Sequence, residues 1–152
     1  MVLKKQEFKE NVSSASPSQQ QLNNLIEYYQ TGQYGDAESS ALSITQEFPK
    51  HPFGWKILGA VLGQTDRKHK AEIANRKTVI LSPLDAEAHS NLASTLYDLA
   101  RLEEAEISLR QAIRLKNDFA EAHRNLGVTL KEMGKIDEAA ASFRQAIASK
   151  PN

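Results

Sequence analysis

The chain has 152 residues, with 19 basic and 19 acidic side chains and no cysteine. Balanced charge gives no bulk attraction to nucleic acid or to an anionic membrane surface, and the missing thiols exclude disulfides and thiolate chemistry. The longest apolar run, 57–63, is too short to cross a bilayer. Lys4 and Lys5 are not followed by an apolar core, so the start does not read as a secretory signal and cytoplasmic residence is expected.

In chain order, residues 1–17 read as a tail. Val2, Leu3, Phe8 and Val12 could line one side of a short helix, and 13–18 form a Ser/Pro-rich linker. Ser18 and Gln21 have capping-box spacing and open a first helix over about 19–31. Gly32 then stands where a helix C-terminus needs a left-handed residue. Further helices are expected over about 35–47, 52–65, 68–81, 86–99 and 102–115. Asp118 with Glu121 is a second candidate capping box, ahead of helices over 120–133 and, after Gly134, 136–149. In the last two, Leu126, Leu130 and Met133, then Ile136, Ala140, Phe143 and Ile147, recur at helical spacing, which gives each an apolar stripe. No segment alternates with period two over a useful length, so strands are not expected.

The helices fall into a repeating register. Ala-Glu-Ala-His opens at Ala86 and again at Ala120. His123, Leu126, Gly127, Leu130, Ala139, Phe143 and Pro151 are echoed by His89, Leu92, Ala93, Leu96, Ala105, Leu109 and Asn117. Trp55, Leu58, Gly59, Leu62, Ala71 and Pro83 occupy the same positions one unit earlier, and Gly32, Tyr34, Ala37 and Pro49 keep the register in a divergent first copy. A fixed period of about 34 residues marks a solenoid, in which each unit buries its apolar face only against a neighbour. The pattern resembles the tetratricopeptide repeat. That resemblance implies an all-α, right-handed α-solenoid of antiparallel helix pairs, with units at about 18–51, 52–85, 86–119 and 120–152.

Catalytic constellations are missing from the sequence: there is no phosphate-cradling Gly-rich loop, nucleophile elbow or His-Glu-x-x-His spacing. No enzyme activity, cofactor or metal is expected. His89 and His123 hold equivalent positions in adjacent units, but packed helices lie about 8–10 Å apart, too far for shared metal–nitrogen bonds of about 2 Å. A packing role like that of Trp55 is expected for both. Arg67, Lys68, Lys70, Arg76 and Lys77 could form a basic patch, yet without interleaved aromatics they read as a solvated outer helix face. Asn75 departs from the pattern, since its counterparts are Leu109 and Phe143. Buried there, its amide needs partners. Asp66 and Ala100 replace the glycine at the helix break, which leaves the second unit the softest.

The resemblance further implies a groove lined by the first helix of each unit. Its wall would take Lys56 from the second unit, Glu87, Ser90, Asn91, Ser94, Tyr97 and Asp98 from the third, and Arg124, Asn125, Val128, Lys131 and Glu132 from the fourth. A carboxylate clamp, which holds chaperone C-termini with Lys and Asn in successive units, fits poorly, because Ala60 stands where Asn is required and Glu87 and Glu121 where a cation is. The Ala-His-Ser-Asn-Leu-Ala stretch is instead similar to the repeats of the O-linked N-acetylglucosamine transferase superhelix, whose asparagine ladder holds an extended peptide by its backbone. Asn91 and Asn125 fit such a row, Asn23 could extend it and Ile57 breaks it. Local hydrogen bonds to the next helix are the competing role for these amides.

The expected function is therefore a protein-interaction scaffold binding an extended peptide or partner protein, with no nucleic acid or membrane partner. One alternative is a self-assembling array, a homo-oligomer through Ile136, Ala140, Phe143 and Ile147, since no polar capping helix follows the last unit. Another is the targeting region of a larger transferase.

Overall fold

The computed structural model describes residues 16–150, and the expectation of a short helix within 1–15 lies outside them. Eight helices make up the described residues: α1 (Gln19–Gln30), α2 (Tyr34–Glu47), α3 (Pro52–Gln64), α4 (Lys68–Leu81), α5 (Ala86–Asp98), α6 (Leu102–Leu115), α7 (Ala120–Glu132) and α8 (Ile136–Ala148). Each expected helix is present, and its ends lie close to those read from the sequence. The fold is an all-α solenoid of four helix pairs.

Within each pair the break has one geometry. Gly32, Asp66, Ala100 and Gly134 all take positive φ, at 73°, 58°, 59° and 78°. The amides of the following residues, Gln33, Arg67, Arg101 and Lys135, each donate back into the helix just ended, to the carbonyls of Tyr28, Leu62, Leu96 and Leu130. Such a bond closes a helix C-terminus on a left-handed residue. At Ala100 the register, rather than the residue's own preference, imposes the conformation.

Caps explain two starts and correct a third. Ser18 Oγ accepts from Gln21 N at 3.1 Å while Gln21 Oε1 accepts from Ser18 N at 2.8 Å, a closed capping box. Asp85 Oδ1 accepts from Ala88 N at 3.2 Å and opens α5. The expected Asp118–Glu121 box does not form: Phe119 is the N-cap of α7, without a side-chain bond. Phe119 holds the register position of Asp85, so Asp118 falls one position too early. Its ring instead joins the second core cluster.

Small residues allow the close approach of paired helices. Ala37, Ala71, Ala105 and Ala139 recur at one position of every unit and are all buried. Leu58, Leu92 and Leu126, then Leu62, Leu96 and Leu130, are buried at two further repeated positions. A Cβ on Gly127 would stand 2.7 Å from the Phe143 ring, so only glycine accommodates that ring against α7. Trp55, His89 and His123 share a further contact: each ring nitrogen meets a carbonyl of the preceding loop, of Pro49, Pro83 and Asn117, at 3.0, 2.8 and 2.8 Å. A carbonyl only accepts, so Nε2 of each imidazole donates and ties the first helix to the loop before it.

First helices of neighbouring units approach backbone to backbone, α1 with α3, α3 with α5 and α5 with α7, whereas neighbouring second helices stand farther apart and meet only through long side chains. The first helices therefore line the inside of the curve.

Candidate functional site

The inner wall carries the same recess twice. One is lined by Ala93, Ser94, Tyr97, Asp98, Leu109, Asn125, Val128 and Thr129. Their counterparts one unit earlier are Gly59, Ala60, Gly63, Gln64, Asn75, Asn91, Ser94 and Thr95, and every one of them lines the other, together with Tyr29, Asp98 and Glu121. Each recess lies between two successive first helices and has for its floor a side chain from the second helix between them. The α3/α5 recess is the larger, about 370 Å³ against about 160 Å³, because Gly59, Ala60 and Gly63 stand where the other has Ala93, Ser94 and Tyr97.

The floors differ in chemistry. Leu109 is fully buried in the α5/α7 recess. In its place Asn75, 3% exposed, donates from Nδ2 to Thr95 Oγ1 at 2.9 Å and, at 3.5 Å, to the Asn91 carbonyl. Thr95 passes its own proton to that carbonyl at 3.3 Å. Thr129 makes the matching bond to Asn125 O at 2.9 Å.

The proposed groove residues divide. Asn91, Ser94 and Asp98 meet in the polar recess, and Ser94, Tyr97, Asp98, Asn125 and Val128 meet in the apolar one. Among the described residues, neither the Asn91 nor the Asn125 side-chain amide makes a hydrogen bond within the chain, so the local role weighed for them is not seen. Asn23 is engaged, accepting from Gln19 Nε2 at 2.9 Å.

Lys56, Ser90 and Arg124 share one register position, and none of them lines either recess. Lys56 reaches forward to Asp85 at 3.0 Å and to Glu87, and Ser90 is buried. Arg124 lines a cleft with Phe143 and Ile147 at the α8 end. Burial pulls the Lys56 ammonium down, but the Glu87 and Asp85 carboxylates outweigh it and hold its pKa above the ordinary value. Glu87 is spent in that pair, while Lys131 and Glu132 are exposed at the end of α7 and line neither recess.

On the second helices ion pairs run from one unit to the next. Glu38 pairs with Arg67, Glu72 with Arg101 and Glu106 with Lys135, each bridging one unit to the next. Arg76 links Glu72 to Glu104, and Arg110 links Glu106 to Glu138. Burial pushes the Glu72 carboxyl up, but Arg76 and Arg101 outweigh it and hold its pKa below the ordinary 4.5. Lys135, then Arg110, keep Glu106 low in the same way. Of the basic residues singled out in the sequence, Arg67 and Arg76 are thus held in pairs. Among the described residues no group of three or more His, Asp or Glu side chains is placed to hold a metal ion, and no helix is long and apolar enough to cross a membrane.

Sequence reasoning treated Asn75 and its counterpart Leu109 only as core positions and passed over Thr95 and Thr129. Carrying the groove register onto the second helix and the buried face of the first would have found all four.

Comparison with known proteins agrees with the repeat geometry. A family model described as "TPR repeat" matches residues 94–134, and one described as "Tetratricopeptide repeat" matches 120–152. Among solved structures, MamA superposes with a TM-score of 0.79 at 22% identity, over 85% of this chain and 75% of that one. MamA from Desulfovibrio magneticus RS-1 gives 0.78 at 21%, over 85% and 73%. An O-GlcNAc transferase mutant from Thermobaculum terrenum gives 0.70 at 27%, over 73% of this chain and 21% of the transferase. Comparison with curated proteins gives no match.

Proposed function

This chain is a tetratricopeptide-repeat protein, a fold that serves as a protein-interaction scaffold, and from that premise we propose that its inner groove holds an extended polypeptide segment of a partner. The observation that carries the reading is the pair of unspent amides, Asn91 and Asn125, in one register on successive first helices. An Asn side chain both donates and accepts, so it pairs with a peptide unit of the ligand whatever its sequence. Side chains of the ligand then enter the recesses beside each amide, and Tyr97 and Val128 supply apolar contact in one of them.

Selection from a random-peptide phage library against the folded protein tests this. Replacing Asn91 and Asn125 together with Ala should weaken the selected peptides about tenfold or more, the loss of one to two hydrogen bonds, with helicity unchanged. Unaltered affinity removes the ladder.

A second reading, self-association through α8, is favoured by one observation. Ile147 is 71% exposed, whereas its counterpart Ile113 packs into the core and Val79 joins the same cluster. Ile136 is 60% exposed as well. Phe143, counted in the same stripe from sequence, packs on Gly127 in its own unit instead. Light scattering over a concentration range distinguishes the readings: association weakened by Ile136→Lys with Ile147→Glu supports stacking, and a monomer at every concentration refutes it.

A further inference from the structure

Where two recesses share their register positions, their differences state what each admits. The polar recess holds two carboxylates, Asp98 and Glu121, and no Lys or Arg lines it. At its floor the Asn75 side chain is almost fully buried, and its Nδ2 is spent on Thr95 and Asn91. Oδ1 receives no hydrogen bond from any described residue, and no side-chain oxygen or nitrogen among those residues is both buried and unpartnered. Oδ1 is therefore reached from the recess it lines, as an acceptor beneath a negatively charged rim. The Leu109 recess shares Asp98 but has neither Glu121 nor such an acceptor at its floor, and it adds Ala93, Tyr97 and Val128.

Spacing links the two. Neighbouring first helices are in contact, and packed helices lie about 8–10 Å apart. An extended ligand in the polyproline II conformation rises about 3.1 Å per residue with about three residues per turn, so side chains one turn apart share a face about 9 Å apart. One turn of ligand thus matches one unit of the solenoid.

We propose that the Asn75 recess takes a cationic side chain, lysine or arginine, of the bound polypeptide, and that the Leu109 recess takes an apolar side chain one polyproline turn away. This rests on the groove reading above and adds its selectivity. Charge decides the first subsite: a cation gains two carboxylates and a buried acceptor, whereas an acidic side chain meets like charge and an apolar one leaves Asn75 Oδ1 without a donor. Room agrees, since the recess emptied by Gly59, Ala60 and Gly63 is the one that must admit the longer side chain.

The test uses fluorescein-labelled peptides with a Lys-Ala-Ala-Leu core, and the reverse order, titrated by anisotropy. In the better-binding order, Arg should replace Lys with little change, while Gln and Glu should weaken binding about tenfold and more. Asn75→Leu should reverse the preference at that position from Lys to Leu. Asp98→Asn, at an exposed residue that leaves the core untouched, should reduce the ratio of Lys to Gln affinity and its dependence on salt. Equal binding of Lys, Gln and Leu peptides overturns the subsite while leaving the groove standing. If neither these peptides nor any library peptide binds, the groove reading falls and the subsite with it.

Discussion

Asn75→Leu should stabilise the array while altering its selectivity. The register equivalent, Leu109, is 1% exposed. Position 75 faces Gly59, which lacks the Cβ that Ala93 carries, so a leucine there has more room than its counterpart. A fully buried leucine contributes about 1.5–3 kcal/mol relative to an exposed one. Against this, the Asn75 amide gives up its bond to Thr95, a loss of about 0.5–1.5 kcal/mol. Thr95 keeps its own donation to the Asn91 carbonyl, so the threonine hydroxyl proton is not orphaned. The difference is about 0–2.5 kcal/mol, which brackets the gain of about 0.5–2 kcal/mol common for such substitutions, or about 1–8 °C in thermal midpoint for a chain of this length. Circular dichroism melts of the two proteins at equal concentration measure it. A lower midpoint with unchanged native helicity would refute the argument, because it would mean that the Asn75–Thr95–Asn91 network outweighs apolar filling.

Three further outcomes follow from the same geometry. Gly127→Ala should destabilise by about 1–3 kcal/mol in urea, since its Cβ would stand 2.7 Å from the Phe143 ring and an overpacked core costs that much. Ala100→Gly should raise stability by up to about 1 kcal/mol, because Ala100 is held at φ 59° and glycine takes that conformation without the steric penalty. The carboxyls of Glu38, Glu72 and Glu106 are held below their ordinary 4.5 in the folded chain. Their contribution is therefore present above the ordinary carboxylate pKa and is lost as the pH falls from there through the lowered values. In a pH series of melts at low salt, replacing all three by Gln should flatten that acid limb and leave the other buried contacts in place.

Almost all of the fold was legible because the solenoid repeats each decision. Leu58, Leu92 and Leu126 read as a core position once they recur from unit to unit, and Gly32 and Gly134 disclose the left-handed breaks that Asp66 and Ala100 hide. The Asp118 cap failed because it was judged on local spacing. The repeat itself puts Phe119, not Asp118, where Asp85 caps α5. Of the residues expected on the wall, Asn91, Ser94, Tyr97, Asp98, Asn125 and Val128 line the recesses, while Lys56 pairs with Asp85 and, like Ser90 and Arg124, lines neither. A linear register gives which residues are equivalent but not where an equivalent set points, and that direction follows from the angle between successive units. The ion-pair rungs that join one unit to the next were missed for a related reason. Their partners lie in different units, and the sequence reading compared like positions rather than unlike ones.

The two sides of the solenoid solve opposite problems. On the second helices, Glu38, Glu72 and Glu106 each find a cation one unit on, and Arg76 and Arg110 extend these pairs along the array. Such half-exposed pairs add little stability singly, but they fix the register between units and discourage wrong stacking. The groove side differs: Asn91 and Asn125 of the first helices spend no side-chain bond within the described chain, and Asn75, reaching from α4 beneath Asn91, holds a position that is apolar in the later units. A polar side chain kept at a core position, against both the repeat pattern and the stability of the unit, is where local rules are expected to give way to function. Loss of stability and gain of a buried acceptor are then one feature, which is why a single substitution, Asn75→Leu, should move melting temperature and ligand preference together.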